Sequence, residues 1–246
     1  VREGISLSVV CATYNVEGCL GELLDSYREN KQNGTQLVII DGGSTDGTCQ
    51  IIDKNIDIID VAISEKDYGI YDAWNKALQY CLGEFVSFIG ADDLIADGAL
   101  SALLSEIKNI SEERINMIAG YNIKTRGRVP VALLGRPMNI NNIFWQMSIS
   151  HVMSSHRLSW LKGVGGFNIT YGSAGDYDLI LRERSSLRIL SLDKILAYVE
   201  DGGLSTIGWK VYIDHFRCRM DNGAPFLLAA YFLCRGLLSF VRKRYI

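Results

Sequence analysis

Two adjacent aspartates, Asp92 and Asp93, directly follow the apolar run EFVSFI at positions 84–89 and the pair Gly90-Ala91. Side by side at a strand end, two carboxylates repel each other, and a bound cation is the natural compensation. Mg2+ and Mn2+ prefer hard oxygen ligands and often bridge a carboxylate to substrate phosphates. The plainer alternative is a solvated acidic turn leading into a helix, with Asp97 contributing. A second cluster, DGGSTDGT at 41–48, has neither the GxGxxG spacing nor a phosphate-loop lysine. Its carboxylates suit the imide N–H of uracil or a ribose hydroxyl. It also reads as an ordinary βα turn in which Ser44 or Thr45 caps the next helix.

Further groups extend the set. SEKDYGIYD at 64–72 brings Asp67 to the same region, while Lys66 either nears a phosphate or faces water. Tyr71 and Trp74, at helical spacing, read as core rather than as base-stacking groups. GSAGDYD at 172–178 opens a helix, and residues two apart do not share a helical face. One of Asp176 and Asp178 therefore reaches a site while the other faces solvent or caps. The histidines at 151, 156 and 215 support neither a histidine-rich metal site nor a Ser-His-Asp arrangement. His151 reads equally as a site residue or a structural one.

Strands alternating with helices must position these residues. SLSVVCA (6–12), LVII (37–40), residues 58–63 and 84–89 read as strands. Leu20, Leu23, Leu24 and Tyr27 recur at helical spacing, as do Ala73, Ala77, Leu78 and Cys81, and a short helix is expected around 48–53. Such alternation implies βαβ units and a mostly parallel sheet. Open sheets of this class bind ligands beyond the carboxyl ends of their strands. Thr13-Tyr14-Asn15, Asp41–Asp46 and Asp92-Asp93 all fall there and would share one crevice. Beyond Asp97, residues 98–110 read as helix, 117–123 as strand and 189–199 as a return to the sheet, while 126–147 has no clear assignment.

A chain of 246 residues with 48% hydrophobic content can bury one sizeable core. The net charge of -3 gives no case for nucleic acid as a partner. Six cysteines at 11, 19, 49, 81, 218 and 234 follow neither a disulfide framework nor zinc spacing, which fits a reducing compartment. No N-terminal signal peptide is visible.

Four pieces occur together in a known order: ATYN (12–15), DGGSTDGT (41–48), SEKDYGIYDAWNK (64–76) and GADD (90–93). With them the chain resembles the inverting glycosyltransferases of family 2, and among these the bacterial enzymes of exopolysaccharide, colanic acid and O-antigen assembly. The resemblance covers residues 7–205 and implies a GT-A fold, an α/β arrangement with a single Rossmann-like, mostly parallel mixed sheet flanked by helices. It implies that Thr13 and Asn15 line the nucleotide pocket, that Asp41 and Asp67 recognise uracil, that Asp92 sits by the ribose and diphosphate, and that Asp93 binds Mn2+ or Mg2+. Many members carry a Glu-Asp pair as the source of the catalytic base. Here the text is Gly175-Asp176, so Asp176 inherits that role without the glutamate. Ser150-His151 resembles a Pro-His motif near the diphosphate or acceptor, without the proline, and residues 200–205 (EDGGLS) resemble a late segment near the donor. The implied partners are a UDP-sugar donor and a saccharide acceptor linked to a lipid diphosphate. Arg126, Arg128 and Arg136 are candidates for a segment that closes over the site. The alternatives are a nucleotidyltransferase, whose glycine- and basic-rich loop is missing near the first strand, and a non-catalytic nucleotide-sugar-binding module.

The expected organisation is a catalytic domain over 1–205 and a helical segment over 206–246. Residues 205–246 hold seven basic and two acidic side chains, a balance of +5 that leaves -8 for the rest. PFLLAAYFLCRGLLSFV (225–241) is the most hydrophobic stretch, yet Arg235 interrupts it, which makes a membrane span costly. An interfacial helix on an anionic membrane surface fits better, placing the enzyme in the cytoplasm on the inner face of the plasma membrane. Packing on the domain, or a contact in a homo-oligomer, is the other reading.

Overall fold

The computed structural model describes residues 4–110, 114–135, 143–145, 147–202 and 208–245. Nine strands form one mixed sheet in the order β3-β2-β1-β4-β8-β6-β9-β5, with β7 pairing on β6. The parallel half comprises β1 (Leu7–Thr13), β2 (Thr35–Asp41), β3 (Val61–Ser64) and β4 (Phe85–Gly90). Next to β4 lies β8 (Ser155–Arg157), antiparallel both to it and to β6 (Met117–Arg126). The far edge consists of β9 (Ile189–Glu200), parallel to β6, and β5 (Leu94–Ile95), antiparallel to β9.

Period-two alternation explains why the parallel strands are apolar along their whole length. Val9, Cys11, Leu37 and Ile39 face one layer, built on α1 (Leu20–Asn30) and α4 (Ala99–Asn109). Val10, Val38, Ile40, Val86 and Phe88 face the other, built on α3 (Ile70–Ala77), α5 (Leu158–Gly163) and α6 (Gly175–Arg182). Both faces are covered, as parallel sheets require. Trp74 and Tyr71 lie in this second layer, the core placement expected of them. The short α2 (Thr48–Lys54) follows β2. A third cluster joins Tyr177, Ile180 and Leu181 of α6 to Met117 of β6 and Cys218 of α7 (Lys210–Asp221). The last helix, α8 (Phe226–Tyr245), packs on α7.

Three expectations change. The third strand starts at Val61 rather than Ile58, because Ile58 and Ile59 are buried in the preceding turn. Asp60 ends that turn, its carboxylate accepting the Leu37 N–H at 2.9 Å. Within the unassigned stretch, β7 (Val129–Leu134) returns antiparallel along β6 as a hairpin. The element ends also shift: β6 runs on to Arg126, and α3 closes at Ala77, with Leu78 and Cys81 continuing as a turn. Arg136 and residues 203–205 lie outside the described residues.

Register fixes the crevice. Thr13 lies opposite Asp41, Asp41 opposite Ser64, and Ala12 opposite Gly90. Four loops therefore leave the sheet at one edge, from the carboxyl ends of β1 to β4.

Candidate active site

The loops after β1 and β2 are tied to each other. Asp41 is 1% exposed, and its carboxylate accepts from the Thr13 hydroxyl (3.1 Å), the Gly43 and Ser44 N–H groups (3.1 and 2.9 Å), and the Ser44 and Ser64 hydroxyls. Burial alone would raise its pKa, but the bonds from Ser44, Ser64 and Thr13 outweigh burial and hold it below the ordinary carboxylate range. Asp41 thus ties together the loops after β1 and β2 and the end of β3. Asn15, in the left-handed region at φ 51°, accepts the Thr45 N–H through its side-chain oxygen at 2.8 Å and donates its own N–H to Ser44 Oγ. The expected cap of α2 by Ser44 or Thr45 is absent. Asp46 takes that place, accepting from Thr48 N–H (3.0 Å) and Thr48 Oγ1 (2.6 Å).

Asp67 is half-buried and closes the same side. One oxygen accepts the Gly69 N–H at 2.9 Å, and the other lies 2.6 Å from the point where a Cβ on Gly42 would stand. It therefore rests directly on the Asp41 loop. Lys66 is exposed to solvent. Two tyrosines that the sequence reading did not single out flank this pocket: Tyr14 is 61% and Tyr68 85% exposed. Their neighbours in sequence, Thr13, Asn15 and Asp67, are the only signal that could have drawn attention to them.

Across the crevice the chemistry differs. A Cβ on Gly90 would stand 2.8 Å from Asp92 Oδ1 and 2.8 Å from Asp93 Oδ2, so the two carboxylates converge on one point that only glycine leaves open. Asp93 is 5% exposed and accepts the Glu200 N–H at 3.0 Å and the Gly90 N–H at 3.2 Å. Burial first, and the Asp92 charge second, push its pKa up to about 7. Arg128, at the tip of the β6–β7 hairpin and at φ 66°, donates to the Asp92 carbonyl at 2.9 Å and pairs with Glu22. Among the described residues no set of three or more His, Cys, Asp or Glu forms a metal cage. Two convergent carboxylates with hard oxygens, one of them buried and raised in pKa by burial and by its neighbour's charge, fit a divalent cation completed by phosphate oxygens and water.

The three candidate bases separate clearly. Asp178 is buried and accepts from Arg182 (3.1 Å) and Asn222 (2.9 Å), so it neither faces solvent nor caps a helix as the sequence suggested. Asp201 bridges Lys124 (2.6 Å) and Arg126 (2.8 Å), and these bonds hold its pKa at about 2. Asp176 accepts on Oδ1 alone, from the Tyr71 hydroxyl and the Tyr177 N–H, and its Oδ2 has no protein partner among the described residues.

His151 is buried among Trp74, Phe88 and Phe167, with ring centroids 5.4 to 5.8 Å away. Its Nε2 lies 3.1 Å from Nε2 of His156. Burial lowers the pKa of both, and the Asp176 charge acts back on His151. The pair is therefore neutral, one nitrogen donating and the other accepting.

Comparison with known proteins places this geometry. A glycosyltransferase of PGL/p-HBAD biosynthesis from Mycobacterium tuberculosis is 26% identical over 204 residues, 80% of this chain and 78% of that protein. The structure of Staphylococcus aureus TarS residues 1–349 with UDP-GlcNAc superposes with a TM-score of 0.70 at 21% identity, over 95% of this chain and 72% of that one. A mannosyltransferase from Pyrobaculum calidifontis with GDP-Man and Mn2+ gives 0.67 at 19% identity, over 94% and 70%. The fold is accordingly GT-A. Residues 8–155 match the model of glycosyl transferase family 2. That span runs from β1 into β8 and contains both the braced loops and the double aspartate, and so this chain belongs to glycosyl transferase family 2.

Proposed function

We propose that the protein is an inverting, metal-dependent hexosyltransferase that moves a sugar from a UDP-sugar to a hydroxyl of a saccharide acceptor carried on a lipid diphosphate, in bacterial surface polysaccharide synthesis. The convergence of Asp92 and Asp93 over Gly90, at the same sheet edge as Asp41 and Asp67, is the observation that carries this reading. Thr13 and Asn15 line the nucleotide pocket, Asp41 and Asp67 recognise the uracil, and Asp41 also holds the loops that shape the pocket. Asp92 lies by the ribose and diphosphate, and Asp93 would hold Mn2+ or Mg2+, which neutralises charge on the departing diphosphate.

Asp176 is the general base. Its Oδ2 takes the proton of the acceptor hydroxyl as that oxygen bonds to the anomeric carbon and the bond to the diphosphate breaks. A single displacement of this kind inverts the anomeric centre. His151 stands near the diphosphate or acceptor. Incubation with a panel of UDP-sugars and GDP-Man, with Mn2+, Mg2+ or chelator, tests the assignment by product analysis. Sugar transfer from a UDP-sugar that chelator abolishes is expected. Transfer of the nucleotidyl group, or binding without turnover, would overturn it, and preference for GDP-Man would overturn the uridine assignment.

The helix α8 supports placement on the inner face of the plasma membrane. Among the described residues no helix is long and apolar enough to cross a membrane. One face of α8 rests on α7, while Leu227 (81% exposed), Tyr231, Leu238 and Val241 point outward with Arg235 and Arg242 also exposed. An apolar stripe flanked by guanidinium groups suits an anionic headgroup layer, where a lipid-linked acceptor resides.

A further inference from the structure

Beside Asp176, helices α3 and α6 meet at a single close approach. The Tyr71 hydroxyl donates to Asp176 Oδ1 at 3.0 Å, and the Tyr177 N–H donates to the same oxygen at 2.8 Å. The carboxylate is held through Oδ1, and Oδ2 has no protein partner among the described residues. Tyr71 is itself fixed: its ring packs edge-on against Trp74 at 5.3 Å and stacks on Phe167 at 5.7 Å. It also lies flat on Gly175. A Cβ at Gly175 would stand 2.8 to 2.9 Å from Tyr71 Cγ, Cδ2 and Cε2, closer than side-chain carbons pack.

Gly175 occupies the position where the resemblance leads one to expect the glutamate of a Glu-Asp pair. Any side chain there would displace the tyrosine ring. The missing glutamate and the tyrosine against Asp176 are therefore one arrangement. Burial, and after it the Asp176 charge, raise the Tyr71 pKa well above its ordinary value. The phenol stays protonated and remains a donor at every working pH. A tyrosine kept only to fill the core would use its ring, and its hydroxyl would have no call on a carboxylate.

We propose that Tyr71 is a positioning residue for the base, admitted by Gly175, whose hydroxyl fixes Asp176 so that Oδ2 alone meets the acceptor hydroxyl. The inference rests on the reading of Asp176 as the base.

Tyr71→Phe keeps the ring and removes the hydroxyl. With a UDP-sugar that supports transfer, kcat should fall about tenfold, a change of about 1.4 kcal/mol in the barrier. The donor KM, the UDP dissociation constant by calorimetry and the melting temperature should stay at wild-type values. In an Asp176→Asn background, Tyr71→Phe should lower the residual rate no further, because the carboxylate it orients is gone. Gly175→Ala, which pushes the ring away, should lower kcat with UDP affinity kept. Wild-type kcat in Tyr71→Phe overturns the proposal. So does a loss of equal size in the Asp176→Asn background, or one that appears in UDP binding. If Asp176→Asn itself retains activity, the base assignment falls and this inference with it. If Asp176→Asn is inactive and Tyr71→Phe is normal, the positioning role alone is wrong.

Discussion

The two sides of the crevice are built on opposite principles. On the side of β1 to β3, the carboxylate of Asp41 is fully answered by its own protein, and the loops around it interlock through Asn15, Ser44 and Thr45. On the side of β4 and α6, burial and the Asp92 charge hold Asp93 above the ordinary carboxylate range, and Asp176 has an oxygen without a protein partner among the described residues. A surface that must recognise one shape is best organised before the ligand arrives. Groups that must bind a cation or take a proton need unanswered capacity, and that capacity destabilises the empty protein.

The contrast is sharpest at Asp93. Asp93→Asn removes one charge and little volume, so transfer should fall by at least about a hundredfold at saturating donor while the fold persists. Full activity, measured with and without chelator, would remove Asp93 from the metal site. Next comes the base. Asp176→Asn should lower kcat by about 10²- to 10⁴-fold and leave UDP affinity unchanged. Asp178→Asn should lose stability instead, because its partners Arg182 and Asn222 would be left without an anion. If Asp201→Asn loses transfer and Asp176→Asn does not, the base lies in the turn just after β9.

Asp41→Asn probes the braced side. Replacing a buried acceptor of several bonds should cost about 2 kcal/mol of stability and weaken UDP binding in calorimetry. The Asp41 pKa is depressed in the fold, so the wild-type contribution is complete above about pH 4 and is lost as pH falls further. An acid-unfolding midpoint unchanged in Asp41→Asn would contradict the bracing role. Asp93 has the opposite sign. Its folded pKa of about 7 lies above the unfolded value, so metal-free protein should gain stability as pH falls from 8 towards 5. The gain should be about 2–3 kcal/mol, or roughly 5–10 °C in Tm, and should vanish in Asp93→Asn. The smallest effect is expected at α8. Leu227→Ser with Leu238→Ser should reduce flotation with anionic vesicles without changing transfer to a soluble acceptor. If both forms stay in the soluble fraction and the double variant changes oligomeric state, the stripe is a subunit contact.

Much of this was legible because parallel strands announce themselves as short apolar runs, and their carboxyl ends carry the polar clusters. The family and the GT-A fold were implied by the resemblance of the four motifs at 12–15, 41–48, 64–76 and 90–93. What stayed hidden was set by partners distant in sequence. β8 is three residues, Ser155, His156 and Arg157, with no periodicity, and it is a strand because it bridges β4 and β6, which are not paired with each other. β7 exposes Val129, Val131 and Leu133, so no alternation of apolar and polar residues marks it as a strand. Asp41 and Asp67 look alike in the sequence, and only the fold makes the first buried and the second half-buried. The sequence left open which of Asp176 and Asp178 turns inward, because Asn222, which holds Asp178, lies 44 positions later.

The bond from the Glu200 N–H to Asp93 carries a consequence for how the chain is made. Thr13, Asn15, Asp41 and Asp67 all belong to the first third of the sequence, and β1 to β4 can associate once Gly90 has left the ribosome. Asp93 is translated soon afterwards, but the backbone group that orients it arrives 107 residues later. During synthesis the loops braced by Asp41 thus precede the completed double-aspartate side of the crevice, and the two sides reach their final form at different times.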